Sequence, residues 1–252
     1  MRMPGKAWAI TREMFLSETE AARLVRHVRS RVESATGRDA VATRLDQLII
    51  ETLLFSGLRN SEFCGLKIGD TPAVIGRPVL FARGADGKRR TVWIPGVLAA
   101  LIGQWTRQSR PSLLPEGVAP DDPSQPLVFN EHRRPYERSG LYRRVVRILT
   151  EAGMGERASV QLLRHTYGYL AYLRTGGNLL FVQRQLGHAH PMVTSIYAQF
   201  VEESYERLAN RLAGPRAEPR GAVPAPRTTA AMEDDVDEMN RITRLLYQNA
   251  KD

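Results

Sequence analysis

One cysteine, Cys64, in a chain of 252 residues excludes an internal disulfide and suits a reducing compartment such as the cytoplasm. Cys64 lies in an apolar-periodic stretch and reads as a small buried hydrophobe. No group of Cys and His has the spacing of zinc ligands, and no P-loop is present. The sequence therefore offers no metal site and no nucleotide cradle, and no cofactor is expected. No apolar run is long enough to span a bilayer, and the N-terminus lacks the uninterrupted apolar core of a secretion signal. A soluble cytoplasmic protein with no membrane partner is expected. Acidic residues are the minority: 27 Asp and Glu stand against 36 Lys and Arg, a formal net charge of +9.

A basic excess suits a polyanionic partner, because each neutralised phosphate releases counterions. With 42% hydrophobic residues the chain can also bury a substantial core. Residues 1–15 lack a clear period and read as an N-terminal extension. Ser17-Glu18-Thr19-Glu20 is a capping box, opening a helix with Ala21, Leu24, Val25 and Val28 on one face. A second helix fits Val41 to Phe55, Gly57 ends it, and a short helix from Ser61 to Leu66 follows. Pro78 to Arg83 and Arg90 to Pro95 read as strands of a β-hairpin turned by Gly84 to Lys88. Further helices fit Val97 to Ser109 and, after a Pro- and Asp-rich loop from Pro111 to Pro126, Ser139 to Ala152. Ser159 caps a helix through Thr175, and shorter ones fit Leu179 to Leu186, Met192 to Phe200 and Glu202 to Leu212. Pro215 to Thr229 reads as a flexible linker. Met232 to Ala250 carries Val236, Met239, Ile242, Leu245, Leu246 and Tyr247 at helical spacing. The expected fold is mainly α with a small β-hairpin. It divides into a main domain over 16–213, a linker over 214–231 and a C-terminal amphipathic helix over 232–252.

Several polar residues stand out from this frame. Arg59 lies in Gly57-Leu58-Arg59-Asn60-Ser61-Glu62, and Arg164 and His165 lie in Gln161-Leu162-Leu163-Arg164-His165-Thr166. Leu186-Gly187-His188 follows, and Tyr197 stands nine residues beyond His188. Charge on a transferring phosphoryl group spreads over its non-bridging oxygens, which arginine forks suit at any working pH. A tyrosine hydroxyl can attack such a group and store the bond as a covalent phosphotyrosine, without metal or ATP. Tyr205 is the nearest competitor and reads as packing or surface. His188 fits a phosphate contact that also assists proton movement near Tyr197. His165 faces another way from Arg164 on the same helix and is open to a structural or a supporting role. On the hairpin and the Ser139–Ala152 helix, Arg89, Arg90, Arg143 and Arg144 are candidate DNA contacts.

Together these motifs resemble the tyrosine recombinase (phage integrase) family over roughly Leu16 to Leu212. The resemblance implies that family's catalytic-domain fold, mostly helical with a small sheet beside the active site. It implies cleavage and rejoining of double-stranded DNA through a 3′-phosphotyrosyl intermediate with a free 5′-hydroxyl, in inversion, resolution or integration of a mobile element. It assigns Arg59 and Arg164 to the scissile phosphate, Tyr197 to the attack, His188 to phosphate support and Glu62 to steadying the site. The family's hairpin lysine protonates the leaving 5′-oxygen. Here Arg83 and Lys88 compete for that role, and Lys88 is preferred because arginine is a poor proton donor.

Two departures follow. Gln161 stands where the family usually has a histidine, and it can hydrogen-bond a phosphate but carries no proton at neutral pH. The usual N-terminal clamp domain is expected to be missing, as in short members of the family. The resemblance further implies a homo-oligomer on DNA, a tetramer at synapsis, with an accessory protein as a possible aid to DNA grip. The C-terminal helix is open to docking in a neighbouring protomer, folding back on its own domain or binding another partner. Two alternatives remain: a catalytically impaired DNA-binding protein of the same fold, and a tyrosine-dependent type IB-like topoisomerase.

Overall fold

Ser17 starts the first helix, α1 (Glu18–Ser34), through the capping box legible in the sequence. Its hydroxyl accepts from the Glu20 N–H at 3.2 Å, and the Glu20 carboxylate accepts from the Ser17 N–H at 2.7 Å. The computed structural model describes residues 10–200 apart from residues 38, 85, 86 and 191. The expected helices Glu202–Leu212 and Met232–Ala250 and the linker Pro215–Thr229 lie outside the described residues.

The second helix, α2 (Asp39–Ser56), runs through the centre. Leu45, Leu48, Ile49, Ile50 and Leu53 are fully buried, so it is apolar on nearly every side and packs against α1 on one side and a later helix, α6 (Val160–Arg174), on another. Its buried acids are paired, as burial demands. Glu51 receives both forks of Arg29 at 2.9 and 3.1 Å. After Gly57 comes the short α3 (Asn60–Cys64). Burial pushes the Cys64 thiol up to about 11.

The hairpin pairs β1 (Val79–Arg83) with β2 (Arg89–Trp93) antiparallel, from Val79 opposite Trp93 to Arg83 opposite Arg89. α4 (Gly96–Gln104) continues into a wider turn over Trp105–Ser109, which ends the helical run expected there. The following loop is tied down from inside. Arg110 is fully buried and donates to the carbonyls of Pro120 at 2.7 Å and Pro126 at 2.8 Å.

α5 (Arg138–Glu151) precedes α6, whose first turn is capped by Ser159 accepting from Leu162 N–H at 3.0 Å. α7 (Leu179–Leu186) matches its expected bounds. The helix expected from Met192 to Phe200 is broken. α8 (Met192–Ser195) stops, a turn carries Tyr197, and a 3-10 turn covers Ala198–Phe200. The break coincides with burial of the Tyr197 ring against α6. Among the described residues no helix is long and apolar enough to cross a membrane.

Candidate active site

The site is assembled from helix ends. α2 and α7 both finish on a glycine in the left-handed conformation, Gly57 at φ 61° and Gly187 at φ 64°. The last carbonyls of a helix have no partner within it and attract cations. Arg164, on α6, donates one fork arm to the Gly57 carbonyl and the other to the Leu186 carbonyl at 2.7 Å. Arg59, at the entry to α3, donates to the Gly187 carbonyl at 3.2 Å. Neither glycine accepts a larger residue. A Cβ at Gly57 would lie 2.5 Å from the Tyr167 ring, and one at Gly187 would lie 2.6 Å from Arg90 Nε.

Glu62 binds these pieces together. It is buried, and its carboxylate accepts from the Arg59 N–H at 2.7 Å, the Arg59 guanidinium at 2.9 Å and the Arg90 guanidinium at 2.8 Å. Two guanidiniums thus meet one carboxylate, with that of Arg164 close by, and the local balance favours an added anion. Burial, with Arg59 nearby, pushes Arg164 down to about 10, still charged at neutral pH. The cleft in front, about 1050 Å³, is lined by Arg59, Arg138, Gln161, Arg164, His165 and His188.

Both histidines are neutral at pH 7. Burial and the adjacent arginines lower His188 to about 4, and burial with Arg164 does the same to His165. His188 Nδ1 pairs with Thr194 Oγ1 at 2.8 Å, which orients the ring. His165 Nδ1 lies 3.1 Å from Tyr197 Oη. The sequence reading sets His165 away from Arg164, but both line the cleft.

Tyr197 is 1% exposed, and burial pushes its phenol up to about 12. Its ring is seated on Gly168 of α6, where a Cβ would lie 2.3 Å from Tyr197 Cζ. A glycine inside a helix is about 1 kcal/mol worse than alanine, and that is the sequence signal that could have flagged this contact.

The hairpin residues divide. Arg83 holds Asp70 through two contacts of 2.9 Å and is not among the residues lining the cleft. Lys88 is exposed just before β2 and is not among the residues lining the cleft. Arg89 stacks over Phe81, 3.7 Å from the ring centroid. Arg90, expected on the DNA face, turns inward to Glu62 and to the Gln185 carbonyl at 2.7 Å. Arg144, also expected there, is an internal strut. Its side chain is 9% exposed, and it bonds Asp46 at 2.6 Å, Tyr136 Oη at 2.9 Å and Glu131. Arg143 stays exposed. Sequence reasoning missed the inward role of Arg90, the seat at Gly168 and the tether at Thr194. Among the described residues no cluster of His, Cys, Asp or Glu could hold a metal.

A profile described as the phage integrase family matches residues 14–203. Tyrosine recombinase XerC of Halalkalibacterium halodurans is 30% identical over 158 residues, 63% of this chain and 51% of that protein. Tyrosine recombinase XerA of Pyrococcus furiosus is 34% identical over 179 residues, 67% of this chain and 57% of that one. The chain spans about half the length of the curated relatives it matches. Among solved structures, XerA recombinase is similar at a TM-score of 0.59 and 25% identity, over 84% of this chain and 68% of that one. The site-specific recombinase XerH, bound to palindromic difH substrate in a post-cleavage complex, is similar at a TM-score of 0.62 and 25% identity, over 79% and 53%.

Proposed function

The chain belongs to the phage integrase family, and from that membership we propose that it is a site-specific tyrosine recombinase that cuts and rejoins double-stranded DNA. The observation that carries this reading is the convergence of Arg59 and Arg164 on one cleft, with Tyr197 Oη hydrogen-bonded to a histidine that lines it.

The scissile phosphate takes the place of an anion in the cleft. Arg59 and Arg164 bind its non-bridging oxygens, His188 supports them, and Gln161 adds a neutral hydrogen bond. Tyr197 leaves its seat and attacks phosphorus. The Oη–P bond forms as the P–O5′ bond breaks, leaving a 3′-phosphotyrosine and a 5′-hydroxyl. A neutral histidine can accept the phenol proton. Lys88, on the hairpin, gives a proton to the departing 5′-oxygen, a role supported by the engagement of Arg83 with Asp70. The reverse steps join a 5′-hydroxyl from a second duplex. That exchange calls for several protomers on DNA, and a tetramer at synapsis is the arrangement we favour. Gln161 favours a second reading, a protein of the same fold that binds its site and cuts slowly or not at all.

The test is a nicked suicide duplex carrying the bound sequence, found by footprinting DNA around the gene. Wild type should form a covalent adduct and Tyr197→Phe none. If neither forms one on a site both occupy, the recombinase reading fails and the binding-only reading stands.

A further inference from the structure

Beside the catalytic cleft lies a second concavity of about 450 Å³, lined in part by Asn130, His132, Arg134, Tyr136 and Arg143. Glu137 and Ser139 line both, so the two form one continuous surface. The rim of the second is a tight tip between Phe129 and Pro135, which form a β-bridge. Asn130 N–H donates to the Arg134 carbonyl at 2.9 Å, and Arg133 N–H donates to the Asn130 carbonyl at 2.9 Å. The Asn130 side chain accepts from the N–H groups of His132 at 2.9 Å and Arg134 at 3.1 Å. The tip is stapled from within.

Arg133 sits at the crest with φ 59°, alone among the described non-glycine residues in a left-handed conformation. Glycine adopts that conformation freely, whereas a long side chain is strained there. No ion pair among the described residues engages Arg133, Arg134, Arg138 or Arg143, although Arg144 and Arg147 on the same stretch are paired with Asp46. Glu131, the acid of the tip, pairs with Arg144, which leaves Glu137 as the carboxylate of the shared rim. A rigid loop that holds an arginine in a glycine-like conformation, facing solvent beside a phosphate-binding cleft, fits an extended polyanion.

We infer that the tip 130–134 is a DNA-backbone clamp, in which Arg133 and Arg134 hold phosphates of the duplex flanking the scissile one. The inference rests on the proposed DNA function and assigns it a contact surface separate from the catalytic residues. The contacts are to phosphate, so they set grip and register rather than sequence.

Four proteins test it: wild type, Arg133→Gly, Arg133→Lys and Arg134→Ala. Binding is measured by fluorescence anisotropy on a duplex selected by the wild type from a random pool, across a salt series, with thermal melting in parallel. Arg133→Gly should melt higher, because strain is relieved, yet bind less tightly, with the log–log salt slope reduced by about 1. Arg134→Ala should show the same loss of slope without the gain in melting temperature. Arg133→Lys should keep the wild-type slope. A higher melting temperature in Arg133→Gly with unchanged affinity and slope would overturn the clamp and leave the recombinase reading intact. If wild type forms no adduct but the slope still depends on Arg133 and Arg134, the clamp stands and the recombinase reading falls. Failure of wild type to bind any duplex overturns both.

Discussion

On the side of the cleft built by α3, β2 and α6, each guanidinium is already anchored, to helix-end carbonyls or to Glu62, in the place where the proposed reaction needs a phosphate held. On the side reached through α8, the tyrosine is shut away under α6, with its hydroxyl against His165 and its ring on Gly168. The first arrangement is preorganised, so stabilising a charged transition state requires little rearrangement there. In the proposed reaction the second is a resting position, which Tyr197 must leave before it can touch phosphorus. Under that proposal the contrast separates two tasks, holding the target and committing to break it, and puts the conformational step on Tyr197 alone.

The harshest test of this contrast is Tyr197→Phe. It should abolish the covalent adduct on a suicide duplex while duplex affinity stays near wild type. Adduct formation by that variant would mean that another residue attacks and that the buried phenol is only packing. Next in size are Arg59→Ala and Arg164→Ala, each expected to slow single-turnover cleavage by about 10²–10³-fold, the loss typical of one removed transition-state donor. Arg164→Ala should also destabilise the fold by roughly 1–3 kcal/mol, because two buried carbonyls lose their donor. Loss of binding as large as the loss of cleavage would show that these arginines are general DNA grips.

Gly168→Ala acts on the other side of the contrast. Its methyl group cannot coexist with the seated ring, so chemical denaturation should show a loss of about 1–3 kcal/mol, despite alanine's better helix propensity. The displaced phenol should titrate closer to its ordinary value near 10 in a spectrophotometric pH titration. An unchanged Tyr197 titration would mean that the ring is not held by this seat. The last test is in acid. His165 and His188 stay neutral down to about pH 4, whereas in the unfolded chain they take up protons near 6.5. The unfolded state therefore binds more protons in this window, and stability should fall as pH drops from about 6.5 towards 4. Stability that stays level between pH 7 and 5, measured by urea titration, would contradict the buried, neutral state of both rings.

Much of this was readable from residue order. The capping box at Ser17, the apolar periodicity of α2, the bounds of α7 and the hairpin all follow from local chemistry. The motif residues Arg59, Arg164 and His188 line one cleft, and the glycines ending α2 and α7, whose carbonyls anchor the two arginines, are themselves visible in sequence. The direction of each arginine was harder. Arg89 and Arg90 are adjacent in a strand, so they point to opposite faces, and only one could have met DNA. Arg143 and Arg144 are adjacent on a helix, about 100° apart, and the buried Asp46 on α2 decides which one turns inward. Nothing local predicts that, since Asp46 lies 98 residues away. The burial of Tyr197 was equally hidden, because the break after α8 is imposed by packing on α6.

Arg164 reaches across 107 residues of chain to Gly57, and Arg59 across 128 to Gly187. A nascent chain that has not yet brought these distant ends together possesses no anion pocket at all. If the proposed recombinase reading holds, competence to cut DNA is thereby withheld from immature or partly melted copies, a safeguard that needs no inhibitor.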